Sequence, residues 1–115
     1  MSEHEYRKEK RIAAVELPEK YNSFLVLLPN DTLDSVTTVD ASKSGFGFLS
    51  EFPIKNYKTG SEVALYPFGK NIPIYAQVVF SKQQYKYTRV GTKLLPYGNY
   101  QKYLDELSKI IESRD

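Results

Sequence analysis

Two short runs in this 115-residue chain carry side chains suited to holding an anion. The first is Arg7-Lys8-Glu9-Lys10-Arg11, with two arginines four residues apart. A guanidinium fork donates two parallel hydrogen bonds to a phosphate or to any pair of adjacent acceptors, and its flat face stacks on a purine. The second is Asp40-Ala41-Ser42-Lys43-Ser44-Gly45, which offers a carboxylate, a hydroxyl two residues on, and a glycine. Taken singly, the first run is a solvated stretch of charge and the second a β-turn, because Asp, Ser and Gly are common turn formers. No catalytic set competes with them. The one histidine, His4, lies in the charged N-terminal stretch, where a Ser-His-Asp triad would have little to fix its geometry. A histidine-based metal site needs more nitrogen ligands than the chain has, and the acidic residues follow no cation-loop spacing. The expectation is no enzyme activity, no catalytic residues, no metal and no cofactor.

The elements around these runs are read from period and punctuation. Met1–Arg11 alternates acid and base with little to bury, and is expected to form a flexible N-terminal arginine segment, residues 1–11. Residues 12–115 are expected to form one domain. Within it, Ser23–Leu28, Leu33–Val39, Gly45–Leu49 and Glu62–Tyr66 read as strands separated by turn-forming residues. Ile74–Phe80 and Tyr85–Thr92 read as a hairpin turning through Ser81–Gln84. Glu51–Gly60, with Pro53 and Asn56, reads as a loop. The period then changes. Tyr100, Tyr103, Leu104, Leu107, Ile110 and Ile111 recur at steps of three and four, which makes one face of a helix over about 99–114, with Asn99 as its N-cap. Short strands at regular spacing point to a barrel or sandwich, and the apolar stripe of the helix must cover an open end or seam of it.

Composition bounds the function. The chain has 10 Tyr and 6 Phe without Trp, a bias that suits half-buried strand positions. It has no cysteine, which removes disulfides, thiolate zinc sites and cysteine nucleophiles. No apolar run approaches the roughly 20 residues of a membrane helix, so membrane insertion is not expected, and a cytoplasmic location is the simple reading. A net charge of +2 is too small for bulk nucleic-acid binding, so anion recognition must be local.

The order of the two runs carries more than either alone. RxxxR, then a strand, then [D/N]xSxxG resembles the signature of the PilZ family, here as Arg7, Arg11, Asp40, Ser42 and Gly45. Val39 before the second motif and Phe46-Gly47-Phe48 after it fit the family's apolar-glycine-apolar stretch, and Gly60 stands where the family usually has a glycine. The ending Arg89-Val90-Gly91-Thr92-Lys93-Leu94 matches more loosely, which bears on the register of the last strand. The resemblance covers nearly the whole chain. It implies a mainly β fold, a six-stranded antiparallel PilZ-type β-barrel with one C-terminal amphipathic α-helix. It also implies a receptor for the bacterial second messenger cyclic di-GMP, with Arg7, Arg11, Asp40, Ser42 and Gly45 as ligand-binding residues.

The donor and acceptor inventory makes these implied roles chemically sensible. Guanine presents O6 and N7 as adjacent acceptors on one edge, which an arginine fork matches. Its opposite edge presents N1–H and the N2 amino group, which suit the Asp40 carboxylate. Ser42 donates to or accepts from a base or phosphate, and Gly45 permits a positive φ or a close backbone approach. The resulting expectation is that the N-terminal segment orders over bound cyclic di-GMP and presents a surface to a downstream protein partner. Two alternatives stand beside it. One is an OB-like barrel that stacks single-stranded nucleic acid on exposed tyrosines such as Tyr85 and Tyr87. The other is a protein-interaction module of the same fold that binds no nucleotide.

Overall fold

The computed structural model describes residues 11–114. Seven strands and one long helix follow in order: β1 (Ile12–Ala13), β2 (Ser23–Leu27), β3 (Leu33–Ala41), β4 (Gly45–Ser50), β5 (Glu62–Tyr66), β6 (Ile74–Gln84), β7 (Tyr87–Gly98) and α1 (Tyr100–Arg114). Single 3-10 turns lie at Ala14–Glu16, Glu19–Tyr21 and Ile54–Asn56. All pairings are antiparallel, in the order β3-β2-β5-β6-β7-β4, and β4 returns to β3. Six strands therefore close a barrel, and β1 lies outside it on the edge of β3. Closure leaves no long unpaired edge of the kind that recruits other chains.

Alternation along the strands fills the interior. Asp34, Val36 and Thr38 of β3, Ile74, Ala76 and Val78 of β6, and Val90 and Leu94 of β7 are buried. Phe24, Phe46, Phe48 and Tyr57 stack edge to face at centroid separations of 5.4–5.8 Å, a preferred geometry for aromatic rings. The helix stripe falls where the period places it. Tyr103 and Leu107 are buried, and Tyr100, Leu104, Ile110 and Ile111 pack against the core. Tyr103 contacts Phe46 at 5.2 Å, so α1 covers the barrel interior beside that residue. Asn99 starts the helix with its carbonyl, which accepts from the Tyr103 amide, while its side chain donates to the Pro73 carbonyl and caps nothing.

Three boundaries differ from the sequence reading, the first at β3, which runs on through Asp40 and Ala41 instead of ending at Val39. The hairpin does not turn at Ser81–Gln84, because β6 continues through these residues and the turn falls at Tyr85 and Lys86. Tyr85 takes a left-handed φ of 58°, a conformation residue type alone did not announce. The last strand runs to Gly98 instead of ending at Thr92, with Pro96 inside a register irregularity between Ile74 and Ala76 of its partner. Proline is tolerated in a strand at such a bulge.

Candidate functional site

Two β-bulges set the site. In β3, Thr38 pairs with Phe48 and Asp40 with Gly47, so Val39 is an extra residue. Simple alternation from Asp34, Val36 and Thr38 would point Asp40 into the core. The bulge reverses the parity and turns it to the outer face. The same device recurs in β6, where Val78 pairs with Thr92 and Phe80 with Gly91, leaving Val79 unmatched. Phe80, on the buried parity of Ile74, Ala76 and Val78, is thereby delivered to the surface, 41% exposed.

The register aligns these side chains in one row across the strands. Ala13 of β1 pairs with Asp40 of β3, Asp40 with Gly47 of β4, Gly47 with Gly91 of β7, and Gly91 with Phe80 of β6. Asp40 and Phe80 thus stand three strand spacings apart, about 14 Å, with two glycines between them. Both glycines leave room that their neighbours use. A Cβ on Gly47 would lie 2.7 Å from both an Arg89 Nη and an Asp40 Oδ, and one on Gly91 would lie 2.1 Å from the Phe80 ring. The result is an open hollow of about 270 Å3 lined by Arg11, Asp40, Gly47, Val79, Phe80, Arg89, Gly91 and Thr92.

Charge in the hollow is arranged around one carboxylate. Arg11 Nη2 donates to Asp40 Oδ1 at 2.7 Å, and Arg89 Nη2 lies 3.8 Å from Asp40 Oδ2. Arg89 also donates from Nη1 to the Val90 carbonyl at 2.9 Å, and its guanidinium lies 5.6 Å from the centre of the Phe80 ring. Arg89 is the better covered of the two, with 17% of its side chain exposed against 44% for Arg11. Among the described residues, one carboxylate stands between two guanidiniums, beside a flat aromatic surface. That combination suits a planar anion.

Of the five residues singled out from sequence, the structure brings three together and separates one. Arg11, Asp40 and Ser42 meet, because β1 pairs with the end of β3 and Arg11 Nη1 reaches Ser42 Oγ at 3.5 Å. Ser42 is fully buried, beneath that guanidinium. Its amide donates to the Gly45 carbonyl, and its own carbonyl accepts from the buried Tyr103 hydroxyl. Tyr100 holds the adjacent Lys43 carbonyl in the same way at 3.1 Å, so the two helix tyrosines tie down the β3–β4 turn. Gly45 faces β7, where a Cβ would lie 2.4 Å from the Thr92 carbonyl oxygen. The requirement there is close strand approach and not a positive φ. Arg7 lies outside the described residues. Tyr85 and Tyr87 do not share a strand face, because Tyr85 projects from the hairpin turn. Sequence reading passed over Arg89 and Phe80. The signal for Phe80 was there in Val78-Val79-Phe80, three apolar residues that break the alternation of Ile74–Val78.

Comparison with known proteins gives a fold and no close relative. No family model matches the chain, and no significantly similar curated protein is found. Among solved structures, the PilZ domain of YcgR from Escherichia coli with c-di-GMP aligns at a TM-score of 0.60 over 94% of this chain and 95% of that one, at 15% identity. The fold is that of a PilZ domain. The MrkH–c-di-GMP complex from K. pneumonia aligns at a TM-score of 0.65 over 95% of this chain, at 14% identity. A longer YcgR chain from Escherichia coli in complex with c-di-GMP aligns at 0.57 over 94%, also at 14% identity. This PilZ fold spans about half the length of those two longer chains, 55% and 48% respectively. No helix among the described residues is long and apolar enough to cross a membrane.

Proposed function

We propose that this chain is a receptor for cyclic di-GMP, with the ligand held on the outer face of the barrel around Asp40. The observation that carries the reading is the Asp40 carboxylate, turned outward by a bulge and placed between Arg11 and Arg89 above a glycine floor. That three solved structures of this fold hold c-di-GMP supports the choice of ligand.

The chemistry is an exchange of partners. Asp40 gives up Arg11 and accepts from the N1–H and N2 amino group of one guanine. The freed Arg11 fork turns to the O6/N7 edge of a base or to a phosphodiester, joined by Arg7 from the N-terminal segment. Moving Arg11 also uncovers Ser42 Oγ, which then serves a phosphate or base. The arginine segment closes over the ligand, and the surface altered in this way is read by a protein partner. Ordering that segment offsets part of the contact energy, so affinity is moderate for the contacts made. The chain itself performs no catalysis in this reading.

Isothermal titration with cyclic di-GMP, with cyclic di-AMP and GTP as controls, tests the proposal. The wild-type chain is expected to bind cyclic di-GMP saturably, the Arg7→Ala/Arg11→Ala double variant to lose binding, and Asp40→Ala to weaken it at least tenfold. A micromolar ligand at a hundredfold excess over its Kd stabilises the fold by about 2.7 kcal/mol. Absence of both heat and thermal shift under those conditions would overturn the receptor reading. Hydrogen exchange over residues 3–12 tests the closure separately, and equal protection with and without ligand would sink that part alone.

A further inference from the structure

Strand β2 is apolar on both of its faces. Phe24 and Val26 point into the barrel, and Leu25 and Leu27 point out. A continuous apolar run is the pattern of a strand covered from both sides. The register widens this outer apolar face. Leu27 pairs with Leu33 of β3 and with Ala64 of β5, Ala64 pairs with Tyr75 of β6, and Leu25 pairs with Tyr66 of β5. Leu33 is 56% exposed, and Leu25, Leu27, Tyr66 and Tyr75 are half-buried. The row from Leu33 to Tyr75 crosses three strand spacings, about 14 Å. A lone surface leucine needs no explanation, whereas a contiguous apolar face marks a contact surface. Leu33 and Asp40 stand at opposite ends of β3, about 23 Å apart along it, so this face is separate from the hollow around Asp40.

Charge on this face argues for its occupant. An open hollow of about 380 Å3 is lined by Leu25, Leu27, Leu33 and Tyr66, together with one acid, Asp31, and one base, Lys70. Asp31 lies in the turn after Leu27, and Lys70 in the turn after Tyr66. Because β2 and β5 are antiparallel, these turns leave the sheet in opposite directions. The two charges therefore mark opposite ends of one apolar strip. A two-fold axis through the middle of such a strip lays each Asp31 over the Lys70 of the other copy and stacks the apolar side chains on their own equivalents. That self-complementarity is what an isologous interface requires, and a strip bounded by a single sign of charge would repel its copy. We propose that this face pairs with a second copy of the chain about a two-fold axis. The strip is small beside the roughly 800 Å2 per partner of a standard interface, so the pair belongs to the weak, reversible class. The pairing does not depend on a ligand at Asp40.

Sedimentation equilibrium of the chain without ligand, from about 10 μM to about 1 mM, tests the proposal. The average mass of the wild type is expected to climb towards that of two chains. Lys70→Glu and Asp31→Lys each bring like charges together twice across the axis, and each is expected to weaken pairing at least about tenfold. An equimolar mixture of the two variants restores both opposite-charge contacts and is expected to pair as well as wild type, to within about threefold. A wild type that stays at the mass of one chain up to about 1 mM would overturn the pairing. So would single variants that pair within about threefold of wild type, or a mixture that pairs no better than its components. Asp31 has a left-handed φ of 65°, which a lysine adopts less readily. Should Asp31→Lys fail to fold, Lys70→Glu decides alone by the same threshold.

Discussion

Strand β3 carries two aspartates six residues apart that meet opposite fates. Asp34 points inward and is 3% exposed, and its Oδ2 accepts from the Ser50 hydroxyl and from Tyr57 at 2.6 Å. Ser50 in turn accepts from the Phe52 amide, so this carboxylate pins the loop after β4 to the barrel wall. Asp40 points outward and is met by the guanidiniums of Arg11 and Arg89. A buried carboxylate held by neutral donors has no reason to exchange them, because any lost bond leaves a charge uncompensated in the interior. A partly exposed one, paired with the solvent-facing Arg11, exchanges that partner at lower cost. The difference between scaffold and site is therefore one extra residue, Val39, which changes the face on which the second aspartate appears.

This contrast can be broken from either side. The largest effect is expected at Asp34. Asp34→Ala removes two hydrogen bonds to a charged group, each worth about 1.5–3 kcal/mol, so chemical denaturation should show a loss of about 3 kcal/mol or more, with affinity per folded molecule unchanged. The next appears in alkali. Burial, the hydrogen bond to Asp34 and its charge push the Tyr57 hydroxyl well above the ordinary tyrosine range. The folded value thus exceeds the unfolded value of about 10, and the contribution is fully present below that pH and lost as pH rises toward the folded value. Wild-type stability should fall above pH about 10 by up to about 1.4 kcal/mol per pH unit on this account, and Tyr57→Phe should show a limb shallower by one proton.

Asp40→Ala should behave in the opposite manner to Asp34→Ala. Its at least tenfold loss of affinity should come with a stability change under about 1 kcal/mol, because a partly exposed ion pair contributes little. A large destabilisation by Asp40→Ala would erase the distinction between the two carboxylates. The smallest effect is expected from Gly47→Ala, whose methyl must displace Arg89 and Asp40 by a few tenths of an ångström or more. A several-fold loss of affinity at nearly constant melting temperature would sharpen the assignment of the floor.

Much of the fold was legible because it follows from period. Glu62–Tyr66 is a strand within the bounds its flanking turn residues set, and the helix stripe from Tyr100 to Ile111 packs as its spacing requires. The site was legible only where residue types formed a motif. Arg11, Asp40 and Ser42 do converge, yet alternation by itself would have buried Asp40 beside Asp34. Phe80 and Arg89 escaped because a bulge carries no residue signature strong enough to override the pattern around it, and because their meeting with Asp40 depends on pairings between β3, β4, β7 and β6 that no local window contains. The hairpin turn was misplaced for a related reason, since Tyr85 adopts a conformation more often given to Gly or Asn.

Ile12 has no part in ligand chemistry, yet it decides where Arg11 stands. The whole of β1 is two residue pairs, and Ile12, fully buried against the core, is the plug that holds them. A change at Ile12 would therefore reach Arg11 through the backbone, although Ile12 itself faces the core and not the hollow. The position of one guanidinium on the outer face is thus set by an aliphatic side chain on the inner one.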